Sequence, residues 1–205
     1  MWGIEHAEDS SEVVLTHTTA TVVERAIRGD QAALAELVRE ATPGLYRYAL
    51  RMTQSEEEAM DTVQETFLRA LKNLHRFDPA FSFNTWIYRI ARNLCIDRAR
   101  HRSRWASRAA MADDEGTGVD ILPDATQDPL ADLVSKERRA DIERAIARLP
   151  PIYREVIIMY HFEEMSYQQI ADILNVPMGT VMNRIFRARK KLKGALGETL
   201  SRHPG

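Results

Sequence analysis

Between Ser166 and Leu192 the chain has room for little other than two short helices joined by a tight turn. Ser166 and Gln169 stand at capping-box spacing, so they can satisfy each other's backbone N–H groups at a helix start. Ile170, Ala171 and Leu174 then recur at helical spacing as one apolar face. Asn175 falls where the chain must reverse and tolerates the left-handed conformation. Pro177 prevents the first helix from continuing. Gly179 and Thr180 open a second helix, with Val181, Ile185, Ala188 and Leu192 turned inward. Its other face carries Asn183, Arg184, Arg187, Arg189, Lys190, Lys191 and Lys193, with no acidic residue among them. This is the pattern of a helix-turn-helix whose second helix suits a DNA major groove. An ordinary solvated basic helix would not also require the cap and the turn chemistry.

A formal net charge of −2 over 205 residues looks unfavourable for DNA, but the charges are segregated. Arg89, Arg92, Arg98, Arg100, Arg102, Arg104 and Arg108 are opposed only by Asp97. From Asp113 to Asp132 every charged residue is acidic. Two basic surfaces separated by an acidic segment are more informative than the sum. No apolar run is long enough to span a membrane, and no signal-peptide pattern opens the chain. The sole cysteine, Cys95, sits near Ile90, Ala91 and Leu94 and reads as a small core residue. These features suit a reducing, cytoplasmic setting without direct membrane insertion.

The expected fold is all-α, in two small helical domains joined by a flexible acidic linker. Residues 1–20 show no periodicity and read as a mobile extension. Residues 21–105 form the first domain, 106–134 the linker, 135–197 the helix-turn-helix domain and 198–205 a tail. In the first domain Leu34, Leu37, Val38 and Ala41 form a stripe that Leu45, Ala49 and Met52 continue after a break at Pro43-Gly44. Ser55 caps the next helix, with Glu56, Glu57 and Glu58 favourable to its dipole. That helix is expected to bury Met60, Val63, Phe67 and Leu71. A loop from His75 to Asn84 leads to a long helix striped by Trp86, Ile87, Ile90 and Leu94. The Gly/Pro-bearing acidic segment has no such stripe. Helical pattern resumes with Leu133, Ile142, Ile146 and Leu149, and Pro150-Pro151 opens a helix containing Val156, Ile157 and Tyr160.

Phe81, Phe83, Trp86 and Tyr88 lie beside Arg89, Arg92 and Asn93. Aromatic faces stack on unpaired bases while arginines hold phosphates, a common grip on single-stranded DNA. The bland reading makes the aromatics core and the arginines solvated. Partial core packing of Trp86 fits both readings; Phe81, Phe83 and Asn84, placed in a loop, are expected to contact a base.

Three stretches now carry a resemblance: Asp61–Ala70, Phe83–Asn93 with Asp97, and Leu149–Leu192. In order and spacing the chain resembles bacterial sigma factors of the sigma-70 family, in the extracytoplasmic-function (ECF) group. The resemblance covers about residues 21–105 and 135–197. It implies sigma-2 and sigma-4 type domains of a promoter-specificity subunit of RNA polymerase. Asp61, Gln64 and Glu65 match the helix that docks on the clamp of the polymerase β′ subunit. Phe81, Phe83 and Asn84 match the loop that captures a base flipped from the minus-10 element, a step costing a few kcal/mol that pocket contacts offset. Trp86, Arg89, Arg92 and Asn93 match the helix that holds the melted strand. Thr180, Met182, Asn183, Arg184, Phe186, Arg187 and Lys190 fall on the minus-35-reading helix. Arg184 or Arg187 could be bidentate to guanine, while Arg189, Lys190 and Lys191 suit phosphates. Met182 and Asn183 depart from the basic residue and serine of many relatives, which leaves the minus-35 preference open, as Asn84 leaves the flipped base open. The acidic linker either mimics nucleic acid in a basic polymerase channel or is a tether.

The implied partners are the β′ and β subunits of core polymerase, promoter DNA and an anti-sigma factor that holds the domains inactive until a stress signal. No cofactor or metal is implied, and the free chain reads as a monomer. A stand-alone helix-turn-helix regulator would need a dimerisation seam, and none is visible. An enzyme would need a site. The acidic residues from Glu56 to Glu65 lack the Glu-x-x-His pairs of a di-metal bundle, and no phosphate loop, zinc spacing or nucleophile motif occurs. A pure protein adaptor would leave both basic surfaces without a role.

Overall fold

The computed structural model describes residues 21–109 and 140–202, all of whose regular elements are helical. The expectations for residues 1–20, for the acidic segment beyond Ala109 and for Leu133 lie outside them. The helices are α1 (21–27), α2 (Gln31–Thr53), α3 (Glu56–Asn73), α4 (Phe83–Ala109), α5 (140–147), α6 (Pro151–His161), α7 (Tyr167–Leu174) and α8 (Met178–Arg202).

The first four helices form one packed unit, in which α2, α3 and α4 all touch one another. Asp30 starts α2 by accepting from the N–H groups of Ala32 and Ala33 at 2.9 and 3.1 Å. The expected break at Pro43-Gly44 does not occur, and α2 runs straight through Pro43. A proline removes one helical N–H, but Pro43 is solvent-exposed. Leu37, Ala41, Leu45, Tyr48, Ala49 and Met52 stay buried along one continuous face. Gly44 serves packing instead: a Cβ there would lie 2.5 Å from Tyr88 Oη on α4. Gln54, in the left-handed region at φ 60°, ends α2. Ser55 then caps α3 by accepting from Glu58 N–H at 3.3 Å.

On α3 the buried face is Ala59, Thr62, Val63, Thr66 and Ala70, not the face expected from Met60 and Leu71. Met60 and Leu71 are 55% and 47% exposed. The two threonines explain the rotation. Their hydroxyls donate to Glu58 and Thr62 carbonyls, each at 2.6 Å. With the hydroxyl satisfied inside the helix, each presents an apolar methyl to the core. Phe67 packs at the margin. Further on, α4 starts at Phe83, so Phe83 and Asn84 occupy its first turn rather than a loop. Ser82 Oγ receives the Thr85 N–H at 3.1 Å and fixes that start. Ile87, Tyr88, Ala91, Leu94 and Cys95 form its buried face. The helix continues to Ala109, past the point where the sequence suggested a linker, through residues compatible with helix.

The second unit is α5 to α8. Ala145, Ile146 and Leu149 are buried, but Ile142 is 41% exposed and leaves the expected stripe. Pro150-Pro151 opens α6, whose Val156, Ile157, Ile158 and Met159 are fully enclosed. Complete burial of such side chains contributes roughly 1.5–3 kcal/mol each. The capping box of α7 is present: Gln169 N–H donates to Ser166 Oγ and Ser166 N–H to Gln169 Oε1, at 3.2 and 2.8 Å. Asn175 is left-handed at φ 53°, and Val176 N–H returns to the Ala171 carbonyl. The next helix begins at Met178 and extends to Arg202, beyond the limit of 197 read from sequence.

The two units share one hydrophobic core, α4 lying on α7 and α2 on α6. Arg154 of α6 also donates to the Met52 carbonyl near the end of α2 at 3.2 Å.

Candidate nucleic-acid interface

Helix α8 is held by Val181, Ile185 and Ala188, all at most 2% exposed. The register this imposes puts Met182, Asn183, Phe186, Arg187 and Lys190 on the opposite side, all exposed. Phe186 is 69% and Met182 48% exposed, an apolar ridge flanked by cations. Thr180 is half-buried at the first turn. Arg184 departs from the solvent face: its Nη1 lies 3.3 Å from Glu155 Oε1, and the side chain is mostly enclosed. Arg189 stands over Tyr160 and 3.2 Å from His161 Nε2. Burial first, and the Arg189 charge second, hold the His161 imidazole below its ordinary value.

On α4 the expected residues separate. Phe81 is half-buried, with the Arg89 guanidinium 5.0 Å from its ring centre. Phe83 is 7% exposed and packs on Phe77 and Trp86 at 6.3 and 5.9 Å between ring centres. It is a core residue that backs Trp86, because its place in the first helical turn points it inward. This corrects its placement in a loop, on which the expectation of base contact rested. Trp86 is half-buried, 5.5 Å from Phe77. Asn84 and Asn93 are exposed.

Two arginines of this helix, Arg89 and Arg92, are engaged by the second unit. Arg89 Nη2 donates to the Asp172 carbonyl of α7 at 2.6 Å. Arg92 Nε donates to Glu155 Oε2 of α6 at 3.0 Å. Glu155, with no exposed surface, thus holds one arginine from each unit. A second hub lies nearby. Glu163 Oε2 accepts from Arg47 of α2 and Tyr88 of α4, both at 3.0 Å, and its side chain is 3% exposed. Burial pushes the Glu163 carboxyl above its ordinary value despite the Arg47 charge. Burial beside Glu163 likewise pushes the Tyr88 phenol up. Sequence periodicity did not single out these glutamates. The available signal was an acidic residue, Glu155, directly before the apolar run Val156–Met159.

On α3, Asp61 and Gln64 are exposed. Glu65 accepts from Arg69 at 2.7 Å, and this hydrogen bond lowers the Glu65 carboxyl below its ordinary value. Met60, Leu68 and Leu71 add an exposed apolar stripe to this surface. Among the described residues no group of three or more His, Cys, Asp or Glu side chains could hold a metal ion, and no helix is long and apolar enough to cross a membrane.

Fold and surfaces together define a two-unit helical protein with a helix-turn-helix. Residues 25–105 match the family model for sigma-70 region 2, and residues 139–192 that for sigma-70 region 4. The chain is 39% identical over 172 residues to the ECF RNA polymerase sigma factor SigW of Bacillus subtilis, covering 82% of this chain and 91% of the relative. It is 33% identical to the RNA polymerase sigma-H factor of Pseudomonas aeruginosa, over 85% and 92% of the two chains. The solved structure of CnrH in complex with the cytosolic domain of CnrY aligns with a TM-score of 0.65 and 26% identity, over 88% of this chain and 97% of that one. The chain belongs to the sigma-70 family of RNA polymerase sigma factors, in its ECF group, and functions in transcription initiation.

Proposed function

We propose that this sigma factor divides promoter recognition between its two units. The unit built on α8 reads the minus-35 element as duplex through Asn183, Arg187 and the ridge of Met182 and Phe186. Thr180 and Lys190 hold the backbone, and Arg184 joins once released from Glu155. The unit built on α4 takes the melted minus-10 strand through Phe81, Asn84, Trp86, Arg89, Arg92 and Asn93. The observation that carries this is the α8 face, a one-signed surface left in solvent by a fully capped helix-turn-helix. Apolar contact with thymine methyls and bidentate arginine on guanine are the chemistries it offers.

Core polymerase docks on α3 through Asp61, Gln64 and Glu65, with Met60, Leu68 and Leu71 supplying apolar area. The related CnrH is solved with the cytosolic domain of CnrY, which supports an anti-sigma partner for this chain. The polymerase performs the chemistry and this chain performs none. Each unit is small, so tethering both on polymerase raises their effective concentration at the promoter.

The test is run-off transcription by purified bacterial core polymerase on a pooled promoter library. The expected result is a set of starts that require this protein and share two spaced elements. No initiation, with tight sequence-specific duplex binding in the absence of core, would make it a conventional regulator instead.

A further inference from the structure

A pocket of about 410 Å³ opens where α2, α4 and the loop after α6 meet. Small-molecule sites commonly occupy roughly 300–1,000 Å³. The lining carries three carboxylates, Glu40, Glu163 and Glu164, against one guanidinium, Arg47. Asn84 and Tyr88 complete it on the α4 side. Glu40, Arg47, Asn84 and Glu164 are exposed at the rim, whereas the Glu163 side chain is 3% exposed.

Glu163 is only half used by the protein. Its Oε2 accepts from Arg47 and Tyr88, while its Oε1 is buried without a hydrogen-bond partner. A carboxylate oxygen left in that state is costly, and a charged N–H donor relieves the cost. The terminal torsion of a glutamate is soft, so the carboxylate can turn toward such a donor. Burial favours the neutral form of Glu163, and a cation beside it restores the ionised form. The next residue, Glu164, holds a left-handed backbone at φ 53°, a conformation in which a glutamate is uncommon. Among the described residues no group of three or more His, Cys, Asp or Glu side chains could hold a metal ion. The carboxylates are instead spread around the pocket, which suits a ligand whose positive charges are also spread.

We infer that this pocket binds a small aliphatic polyamine. One ammonium donates to Glu163 inside the pocket, and a second meets Glu164 or Glu40 at the rim. The site requires none of the promoter contacts proposed above.

Isothermal titration calorimetry of the full chain with spermidine, at neutral pH and fixed ionic strength, tests this. The expected result is one saturable site per chain. Glu163→Gln keeps the side chain's shape, removes its charge and should weaken binding roughly tenfold or more. Glu164→Lys tethers an ammonium at the rim and should abolish binding. Glu57→Lys makes the same charge change on the exposed start of α3; it should leave the affinity within about twofold, because salt screens distant charges. If Glu163→Gln fails to fold, Glu40→Gln at its exposed rim position should weaken binding about threefold. No saturable heat up to about 1 mM spermidine would overturn the site, as would full affinity in folded Glu163→Gln. Equal losses in Glu57→Lys and Glu164→Lys would reveal diffuse attraction and also overturn it. Acetyl-lysine-amide binding as tightly as spermidine would make the pocket a receptor for a single side-chain ammonium and overturn the polyamine as its ligand.

Discussion

Helices α8 and α4 both carry arginines, beside Phe186 on one and several aromatic rings on the other, yet they meet the outside differently. On α8 Asn183, Arg187 and Lys190 stay in solvent, and the core contacts lie on the opposite side. On α4 Arg89 and Arg92 are bonded to the neighbouring unit, and Phe83 is core. One helix is presented for a ligand and the other is covered. Arginine therefore serves two different ends here, a basic face left in solvent on α8 and a contact between the units on α4.

The largest expected effect probes the support beneath α8. Ile170 of α7 has no exposed surface, so Ile170→Ala should cost roughly 2–5 kcal/mol in denaturant unfolding through lost packing and a cavity. Unchanged stability would mean that α7 does not brace α8. Next, Arg187→Ala should weaken minus-35-dependent binding of the holoenzyme by about 1–3 kcal/mol and leave affinity for core polymerase unchanged. Loss of core affinity to the same degree would remove the contrast between the helices. Ser166→Ala removes the α7 cap and should lower stability by about 1 kcal/mol, read as a lower unfolding midpoint.

The smallest effect concerns the seam that covers α4. Glu163 is raised above its ordinary value of 4.5 by burial, with Arg47, Tyr88 and Arg51 opposing. A carboxyl raised in the docked form binds its proton there more readily than in the undocked form. Its contribution to docking is complete below about pH 4.5 and is lost as pH rises through the raised value. The radius of gyration should therefore grow slightly with pH across that window, and Glu163→Gln should flatten the change. An equal slope in the variant would assign the pH response elsewhere.

This contrast also separates what the sequence made legible from what it hid. The helix-turn-helix was readable because its signals are local. Ser166 and Gln169 satisfy each other three residues apart, and Asn175 takes up the left-handed turn without distant help. The all-helical architecture followed from periodicity for the same reason. The α3 face is hidden in sequence because Thr62 and Thr66 look polar there but satisfy their hydroxyls within the helix. Pro43 looked like a stop, yet α2 continues because its packed face is intact on both sides. Phe83 looks available in sequence because α4 begins two residues earlier than the expected loop end, at Phe83 itself, which turns the ring inward. Glu155 and Glu163 could not be placed, since their partners lie far along the chain.

The most direct test of the division between the helices is footprinting of the holoenzyme on one promoter found by run-off transcription. Duplex protection and the reactivity of unpaired thymines to permanganate are read on the same DNA. Arg187→Ala should weaken duplex protection at the upstream element and, with it, everything downstream. Phe81→Ala should keep upstream protection and lose thymine reactivity around minus 10. If Phe81→Ala removed upstream protection as fully as Arg187→Ala, or if Arg187→Ala left it intact, the assignment of duplex reading to α8 and strand capture to α4 would be contradicted.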